Sequence, residues 1–253
     1  ITFWTKVASV QNTSSENTLP NIQGIITKQK IPTMNTTKQL DESEATITTV
    51  QASSSDSDNS SVTSGSTWED VEVIEPHVGY KKVLVTGGAG FIGSHVADYL
   101  LERGDDVVIV DEMNDYYDVT IKESNLRMLT EKYGDKRVKI YRGDICDADL
   151  MDSIFEEERP KWVCHMAARA GVRPSIQDPF IYIHSNIKGT TQLMELSHKY
   201  GIQNFVFASS SSVYGGSKST FFSEEEAVDH PVSPYAASKK ACELMAYTYH
   251  HLY

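Results

Sequence analysis

The most constraining feature of this chain is a glycine-rich stretch, Lys82-Val-Leu-Val-Thr-Gly-Gly-Ala-Gly-Phe-Ile-Gly93. A β-branched apolar run stops at the glycines, and apolar residues then return with helical spacing at Ile92, Val96 and Leu100. This pattern predicts a strand, a tight turn and the start of a helix. The chain is therefore expected to contain an α/β unit at this point.

The glycines of the turn indicate a phosphate site. Gly87 and Gly90 allow the backbone to turn sharply and to approach a pyrophosphate, and Gly93 allows the helix to pack closely on the strand. Phe91 and Ile92 open the helix, where free N–H groups attract an anion. The expected ligand is a dinucleotide, and the alternative is an ordinary strand-to-helix turn.

A carboxylate at the end of the next strand supports a dinucleotide. Val107-Val-Ile-Val110 predicts a second buried strand and leads into Asp111, about 20 residues after the glycines, where a ribose-binding carboxylate belongs. Asp111 is expected to bind the adenosine ribose and to repel a 2′-phosphate. Because no Arg or Lys follows in Glu112-Met-Asn-Asp-Tyr-Tyr-Asp118, we interpret Asp111 as lacking a cationic neighbour, and NAD is favoured over NADP.

Further strands and helices alternate along the rest of the chain. Strands are predicted at 138–141, 162–166 and 205–207, and helices at 120–132, 150–157, 178 to about 201, and from 234 onward. This alternation is typical of an α/β fold with a doubly wound parallel sheet, the Rossmann type of NAD-binding domain. Ligands then bind at the carboxyl ends of the strands.

Composition divides the chain into two parts. Residues 1–79 are rich in Ser, Thr and acidic residues, a composition that buries too little apolar surface to offset chain entropy. We therefore expect a disordered segment there and an NAD-binding domain at residues 80–253. The net charge of −12 provides no basic stripe, so nucleic acid is not an expected partner.

Cysteine usage and hydropathy bear on the cellular compartment. Cys146, Cys164 and Cys242 follow neither a disulfide framework nor a metal-ligand spacing, so no metal is expected and a reducing compartment fits best. No apolar run is long enough to span a bilayer. A cytoplasmic location is expected, with the Golgi as the alternative if an anchor precedes Ile1.

Two other strand ends carry candidate cofactor contacts. Asp144 and Ile145 follow the third strand, and we expect Asp144 to bind the adenine amino group, with capping of the next helix as the alternative. Ala167 and Ala168 follow the fourth strand, where small residues let the backbone approach a ligand. His165 is interpreted as a core histidine rather than a catalyst, because no carboxylate or nucleophile accompanies it locally.

The chemistry is expected at the start of the last helix. Tyr235 and Lys239 are one helical turn apart and share a face. A lysine ammonium beside a phenol lowers the phenol pKa, as a positively charged nicotinamide would, which makes Tyr235 a base near neutrality. The alternative is an exposed Tyr and Lys on an amphipathic helix. The order of glycine turn, Asp111, strand-end serines and Tyr/Lys pair favours the catalytic interpretation, in which Tyr235 and Lys239 also contact the cofactor.

These motifs together resemble the extended short-chain dehydrogenase/reductase family, the NAD-dependent epimerases and dehydratases. Within that family, Asp111–Asp118, His165–Arg173 and His184-Ser-Asn-Ile-Lys-Gly189 look most like UDP-glucuronate 4-epimerases. The resemblance covers residues 81–253 and none of the preceding segment.

The resemblance also implies roles for residues near the serines. Ser210 takes the place of the catalytic hydroxyl, Ser211 and Ser212 that of a substrate-contacting pair, and Asn186 that of a structural asparagine. Arg173, with the two serines, is a candidate for restraining a substrate carboxylate. The related dehydratases resemble one another in having Asp-Glu after the catalytic hydroxyl, and the decarboxylases have a Glu. This chain lacks that acid, which elimination needs as a proton donor.

The function implied by the resemblance is 4-epimerisation of a nucleotide sugar, with UDP-glucuronate converted to UDP-galacturonate through a transient 4-keto intermediate. Such enzymes continue past the Tyr/Lys helix with a smaller domain that grips the nucleotide sugar, whereas this sequence ends at Tyr253. We therefore expect that substrate domain to be largely missing. A homodimer is a candidate assembly.

Several alternatives stay open at this point. The chain can be a non-catalytic NAD-binding fragment or interaction module, or a related nucleotide-sugar decarboxylase or dehydratase. A dehydrogenase of steroids or dihydroflavonols shares the Tyr/Lys pair but not the loop Asp111–Asp118.

Overall fold

A computed structural model of the chain describes residues 81–253. The segment predicted to be disordered, residues 1–79, lies outside the described residues. Five strands form one parallel sheet in the order β3-β2-β1-β4-β5, which places β1 at the centre. The strands are β1 (Lys82–Thr86), β2 (Asp106–Asp111), β3 (Val138–Arg142), β4 (Trp162–His165) and β5 (Asn204–Phe207). The predicted doubly wound α/β fold is confirmed.

Helices cover both faces of this sheet. They are α1 (Phe91–Glu102), α2 (Val119–Tyr133), α3 (Ala148–Glu158), α4 (Val172–Gln177), α5 (Pro179–Tyr182), α6 (Gly189–Tyr200) and α7 (Pro234–Leu252). A 3₁₀ turn, Ser211–Tyr214, follows β5. Each predicted strand and helix corresponds to one of these elements, apart from the longest predicted helix, which is not a regular α-helix throughout.

That helix contains a π-helical turn, Ile183–Lys188, which joins α5 to α6. The whole helical segment begins at α5, where the Asp178 side chain accepts hydrogen bonds from the N–H groups of the first turn. It ends after α6 at Gly201, whose φ of 63° only glycine adopts readily. The carbonyls of His184 and Asn186, inside the π turn, accept hydrogen bonds from cysteine thiols. Cysteine residues thus pack against the irregular turn.

The strands are apolar on both faces because each face is covered by helices. One face packs on α1 and α2, with a core formed by Val83, Val85, Val107, Ile109, Ala97, Leu101, Leu126 and Leu129. The other packs on α3, α6 and α7, with a core formed by Leu84, Val108, Val110, Ile154, Phe155, Leu193, Phe205 and Cys242. Alternate residues of one strand therefore serve the two cores.

The parallel register brings the carboxyl ends of the strands to one edge. Thr86 of β1 pairs with Val110 of β2 and His165 of β4, and His165 pairs with Phe207 of β5. The loops that follow these residues therefore meet at the same edge. This edge carries the candidate site.

His165 at this edge is a buried core residue, as predicted. Its ring nitrogens lie 2.7 Å from the Thr86 hydroxyl and 2.9 Å from the Thr190 hydroxyl. Burial, with a smaller effect from the charge of Lys239, lowers the His165 pKa to about 3. The imidazole is therefore neutral at physiological pH and joins β1 to α6.

Cysteines 146, 164 and 242 are free thiols. Across residues 81–253, the helices are too short or too polar for any of them to cross a membrane.

Candidate functional site

The glycine turn has the close packing that the sequence predicts. Gly87 has a φ of 68°, and a Cβ placed on it would lie 2.7 Å from the backbone nitrogen of Ala167. A Cβ on Gly93 would overlap the carbonyl group of Gly87. Gly90 is the N-cap of α1 and has no side chain with which to cap the helix. The turn thus leaves the N-terminal N–H groups of α1 open to a ligand.

A cavity with about 970 Å³ of empty space lies over this turn. Every cofactor contact predicted from the first four strand ends lines it. These residues are Gly87, Gly90, Phe91, Ile92, Gly93, Asp111, Asp144, Ile145, Ala167 and Ala168. Tyr235 and Lys239, also predicted to contact the cofactor, are not among the lining residues.

The cavity is also lined by residues that the sequence analysis did not single out, including Glu112, Tyr116, Tyr117, Lys122 and Arg169. Two of them form an ion pair, because the Arg169 guanidinium lies 2.7 Å from the Glu112 carboxylate. Glu112, Tyr116 and Tyr117 stand in the loop Asp111–Asp118, which entered the prediction through the choice of cofactor and the family likeness but not as individual contacts. Their positions depend on the path of the loop, which no local pattern predicts.

Asp111 is more fully paired than the sequence indicated. One carboxylate oxygen accepts from the Ala89 N–H (3.1 Å), and the other accepts from the Met113 N–H (2.9 Å) and from Lys122 Nζ (3.2 Å). Both Asp111 and Lys122 are buried. The interpretation that Asp111 lacks a cationic neighbour is therefore wrong, because α2 brings Lys122 to it.

Asp144 is held by two hydrogen bonds at the end of β3. Its carboxylate accepts from the Cys146 N–H (2.9 Å) and lies 2.8 Å from Nε2 of His184. Burial alone would raise the Asp144 pKa, but these hydrogen bonds outweigh burial and lower it. The alternative that Asp144 caps α3 is wrong, because Asp147 is the cap and accepts from the Leu150 N–H. Its contact with adenine stays a prediction.

Asp144, Cys146 and His184 bring three potential metal-ligand atoms within 4.8 Å of one another. The sequence spacing did not indicate this cluster. The Cys146 thiol already donates to the His184 carbonyl, and burial, with the nearby charge of Asp144, raises its pKa to about 12. The thiol is therefore protonated and acts as a packing group.

The predicted catalytic residues come together where α7 meets the end of β5. Lys239 is buried and donates from Nζ to the Ala208 carbonyl (3.0 Å). Burial lowers its pKa. Ser210 lies close enough to Tyr235 that its hydroxyl acts to lower the phenol pKa.

The net effect on Tyr235 is opposite to the prediction. Burial raises the Tyr235 pKa and outweighs the effect of Ser210. The expected lowering by Lys239 is wrong, because Lys239 is not among the groups that shift the Tyr235 pKa; its ammonium donates to the Ala208 carbonyl. The ring of Tyr182 packs edge-on against that of Tyr235, with centroids 6.0 Å apart.

The predicted substrate residues lie in two places. Ser211 and Ser212 open the 3₁₀ turn, and the Ser212 N–H donates to the Ser210 hydroxyl (3.1 Å). A smaller cavity of about 350 Å³ beside them is lined by Ser210, Ser211, Val213, Tyr214, Glu224, Glu226, Val228 and Glu243. Arg173 is exposed in the first turn of α4 and lines neither cavity. The roles of Ser211, Ser212 and Arg173 stay predictions.

Asn186 has the structural position that the resemblance implies. Its side-chain oxygen accepts from the Arg169 N–H (2.8 Å). Its side-chain nitrogen donates to the Arg169 carbonyl (3.0 Å) and to the Ser238 hydroxyl (2.9 Å). Asn186 thus ties the loop after β4, which lines the larger cavity, to helix α7.

Comparisons with known proteins agree with this geometry. The family model described as GDP-mannose 4,6 dehydratase matches residues 84–253. The chain is 48% identical over 170 residues to UDP-glucuronate 4-epimerase of Thermodesulfobacterium geofontis, covering 67% of this chain and 51% of that protein. It is 46% identical over 172 residues to UDP-glucuronate 4-epimerase 4 of Arabidopsis thaliana, covering 68% of this chain and 38% of that protein.

A solved structure of similar fold is UDP-glucose 4-epimerase from Bifidobacterium longum in complex with NAD+ and UDP. It matches with a TM-score of 0.62 and 34% identity, over 68% of this chain and 50% of that chain. The chain spans about half the length of relatives such as these, or less. Because the family model matches most of the chain, and the parallel sheet and its glycine turn have the expected arrangement, the chain belongs to the GDP-mannose 4,6 dehydratase family of NAD-dependent epimerases and dehydratases.

Proposed function

We propose that this protein is an NAD-dependent nucleotide-sugar 4-epimerase that interconverts UDP-glucuronate and UDP-galacturonate. The observation that carries the proposal is the placement, at one edge of one sheet, of a glycine-lined cavity and of the group Ser210, Tyr235 and Lys239. The choice of substrate is supported by relatives named UDP-glucuronate 4-epimerase at 46% and 48% identity.

The cavity over the glycine turn fits a dinucleotide. The backbone of the turn packs so closely that a Cβ on Gly87 or Gly93 would clash, and glycines at such positions let the backbone come close to a pyrophosphate. The turn and the N-terminus of α1 would hold the pyrophosphate. Asp111 would bind the adenosine ribose, and Asp144 the adenine. Bound NAD supplies a hydride acceptor for oxidation at C4 of the sugar and a hydride donor for the reduction that follows.

Tyr235 is the group that moves the proton. Its phenol oxygen takes the proton of the 4-hydroxyl as C4 is oxidised and returns it when the ketone is reduced. The Ser210 hydroxyl orients the same oxygen. Burial raises the Tyr235 pKa and so keeps the phenol protonated at neutral pH. A positive charge bound beside the phenol lowers its pKa, so we expect Tyr235 to become a base when the oxidised cofactor is present.

The residues after Ser210 support epimerisation over elimination. Ser211 and Ser212 stand in the 3₁₀ turn where related dehydratases have acids, and hydroxyl groups are poor proton donors to a leaving group. A dehydratase is the second candidate, because Glu224 and Glu243 line the cavity beside Ser210. Glu243, however, already accepts a hydrogen bond from the Ser209 hydroxyl (2.7 Å).

The proposal is tested by incubating the protein with UDP-glucuronate and NAD and separating the products by chromatography with mass detection. Epimerisation gives UDP-galacturonate of unchanged mass, whereas a dehydratase product is lighter by water and a decarboxylase product by carbon dioxide. Binding of NAD without any conversion would favour a non-catalytic NAD-binding module. Dimer formation stays a prediction, which sedimentation equilibrium of the chain tests.

Calorimetry with both dinucleotides tests the choice of cofactor. Because the Asp111 carboxylate repels a 2′-phosphate, NAD is expected to bind more tightly than NADP, although Lys122 reduces that repulsion. Tighter binding of NADP would contradict the assignment.

A further inference from the structure

The loop between β2 and α2 places a tyrosine hydroxyl at the glycine turn without giving it a partner. The Tyr117 hydroxyl oxygen is buried, and it is one of four buried side-chain nitrogen or oxygen atoms without a hydrogen-bond partner in residues 81–253. A buried hydroxyl left unpaired is unfavourable in the folded chain, so each such group needs an explanation.

The unpaired hydroxyl lies where a phosphate is expected. The Tyr117 oxygen is 3.1 Å from the position that a Cβ on Gly90 would take, and Gly90 is the N-cap of α1. Tyr117 also lines the same cavity as Gly87 and Gly93. The Phe91 backbone is close enough to act on the phenol pKa, but it forms no hydrogen bond of normal geometry with the hydroxyl. The hydroxyl thus lies at the open end of α1.

The surroundings keep this phenol protonated and in place. Burial and, to a smaller extent, the negative charge of Asp111 raise the Tyr117 pKa. The ammonium of Lys122 lies 5.4 Å from the ring centroid, and Lys122 is itself held by Asp111 at 3.2 Å. Tyr117 is therefore an O–H donor beside the free N–H groups of a helix start.

Two neighbours of Tyr117 in the cavity, Tyr116 and Arg169, already have polar partners. The Tyr116 hydroxyl donates to the Ala170 carbonyl (3.1 Å). Arg169 has an unpaired Nε, but its guanidinium is paired with Glu112. Tyr117 differs from both because its single polar atom has no acceptor in the described chain.

We propose that Tyr117 donates a hydrogen bond from its hydroxyl to the pyrophosphate of the bound dinucleotide, beside the N–H groups of the glycine turn. This inference rests on the NAD binding proposed above. The pyrophosphate would supply the acceptor that the described residues do not offer to this hydroxyl.

The test replaces Tyr117 with Phe, which removes the oxygen and keeps the ring. Calorimetry with the whole chain measures the affinities for NAD, ADP-ribose and adenosine, and thermal unfolding measures the stability of the free protein. Because hydrogen bonds to charged groups are the stronger ones, we expect the affinities for NAD and ADP-ribose to fall about tenfold, or about 1.4 kcal/mol. Adenosine, which has no phosphate, should bind as before. The unfolding temperature of the free variant should not fall, because the variant buries no unpaired hydroxyl.

The matched control is Tyr133→Phe. The Tyr133 hydroxyl donates to the Asp98 carboxylate (2.7 Å), and Tyr133 is not among the cavity residues. We expect the opposite pattern, with unchanged NAD affinity and a lower unfolding temperature.

The outcomes separate this inference from the proposed function. If wild-type protein binds NAD and Tyr117→Phe binds it equally well, the role of Tyr117 is wrong and the proposed function stands. Equal loss of NAD and adenosine affinity, with a lower unfolding temperature, would assign Tyr117 a purely structural role and overturn the inference. If wild-type protein binds no NAD, both are wrong.

Discussion

The glycine turn and the start of helix α7 lie at the same edge of the sheet but are built differently. At the glycine turn, backbone atoms determine the shape, since a Cβ on Gly93 would overlap the Gly87 carbonyl. At the start of α7, side chains determine the chemistry. There Lys239 is bound to the Ala208 carbonyl, and burial raises the pKa of Tyr235.

Because of this difference, we expect the glycine turn to control binding and the start of α7 to control the chemical step. Close backbone contacts fix the shape of the glycine turn, so we expect binding there to require little rearrangement. The ionisation of Tyr235, by contrast, is unsuitable for a base until charges around it change. Substitutions at the glycine turn are therefore expected to change NAD affinity, whereas substitutions at the start of α7 are expected to change turnover.

The largest effect is expected from Tyr235→Phe, which removes the proton acceptor and keeps the ring. Positioned proton transfer typically contributes about 10²- to 10⁴-fold, so turnover of UDP-glucuronate should fall by at least that range while NAD affinity barely changes. Tyr247→Phe is the matched control, since Tyr247 is exposed on the same helix. Near-normal turnover by Tyr235→Phe would mean that α7 is not the catalytic element.

Gly93→Ala is expected to have an intermediate effect, on binding and stability together. The added Cβ overlaps backbone that cannot move aside cheaply, and overpacking costs about 1–3 kcal/mol, more than the gain from the better helix propensity of Ala. NAD affinity should fall at least about tenfold, as measured by calorimetry. Gly216→Ala is the control, because no atom lies within 4 Å of its added Cβ. If the two variants behave alike, the glycine turn does not depend on close packing.

The smallest effect is expected from lowering the pH, which acts on His165. This residue ends β4, the strand between β1 and β5. Burial lowers its pKa from 6.5 to about 3, so between these values the unfolded chain binds more protons than the folded one. The free energy of unfolding therefore falls as the pH drops through this window, by about 2 kcal/mol from this residue between about pH 7 and pH 5. Urea unfolding at both pH values measures the loss.

Two variants assign that loss to its source. His165→Gln is expected to be less stable at neutral pH but to lose most of the pH dependence. His230→Gln changes an exposed histidine and should behave as wild type. An unchanged pH dependence in His165→Gln would show that other groups cause it.

The elements that follow from local patterns were predicted well. The five strands, the glycine turn and the Tyr235/Lys239 face each follow from residue types at fixed spacing, because hydrophobic period and glycine positions act over a few residues. His165 was interpreted correctly because no reactive group accompanies it in sequence. The contacts predicted at the first four strand ends all line the larger cavity, since ligands bind where parallel strands end.

Contacts between distant residues were not predicted. The pairing of Asp111 with Lys122 depends on how α2 is rotated, and the cluster of Asp144, Cys146 and His184 depends on the π turn packing beside β3. The direction of the Tyr235 pKa shift could not be predicted either, since it depends on how deeply the phenol is buried once α7 packs against its neighbours. None of these leaves a periodic pattern in the sequence.

The π turn at Ile183–Lys188 makes the helix between Asp178 and Gly201 tolerant of a shorter chain at one place. Hydrogen bonds in a π turn span five residues rather than four, so the turn holds one residue more than a regular α-helical turn. Deleting one residue there would give regular winding and keep α6 in register with α5, so that Thr190 stays beside His165 and Leu193 stays in the core. A deletion within α6 would instead rotate every later residue of that helix by about 100°. Loss of one residue is therefore accommodated at the π turn and disruptive a turn later.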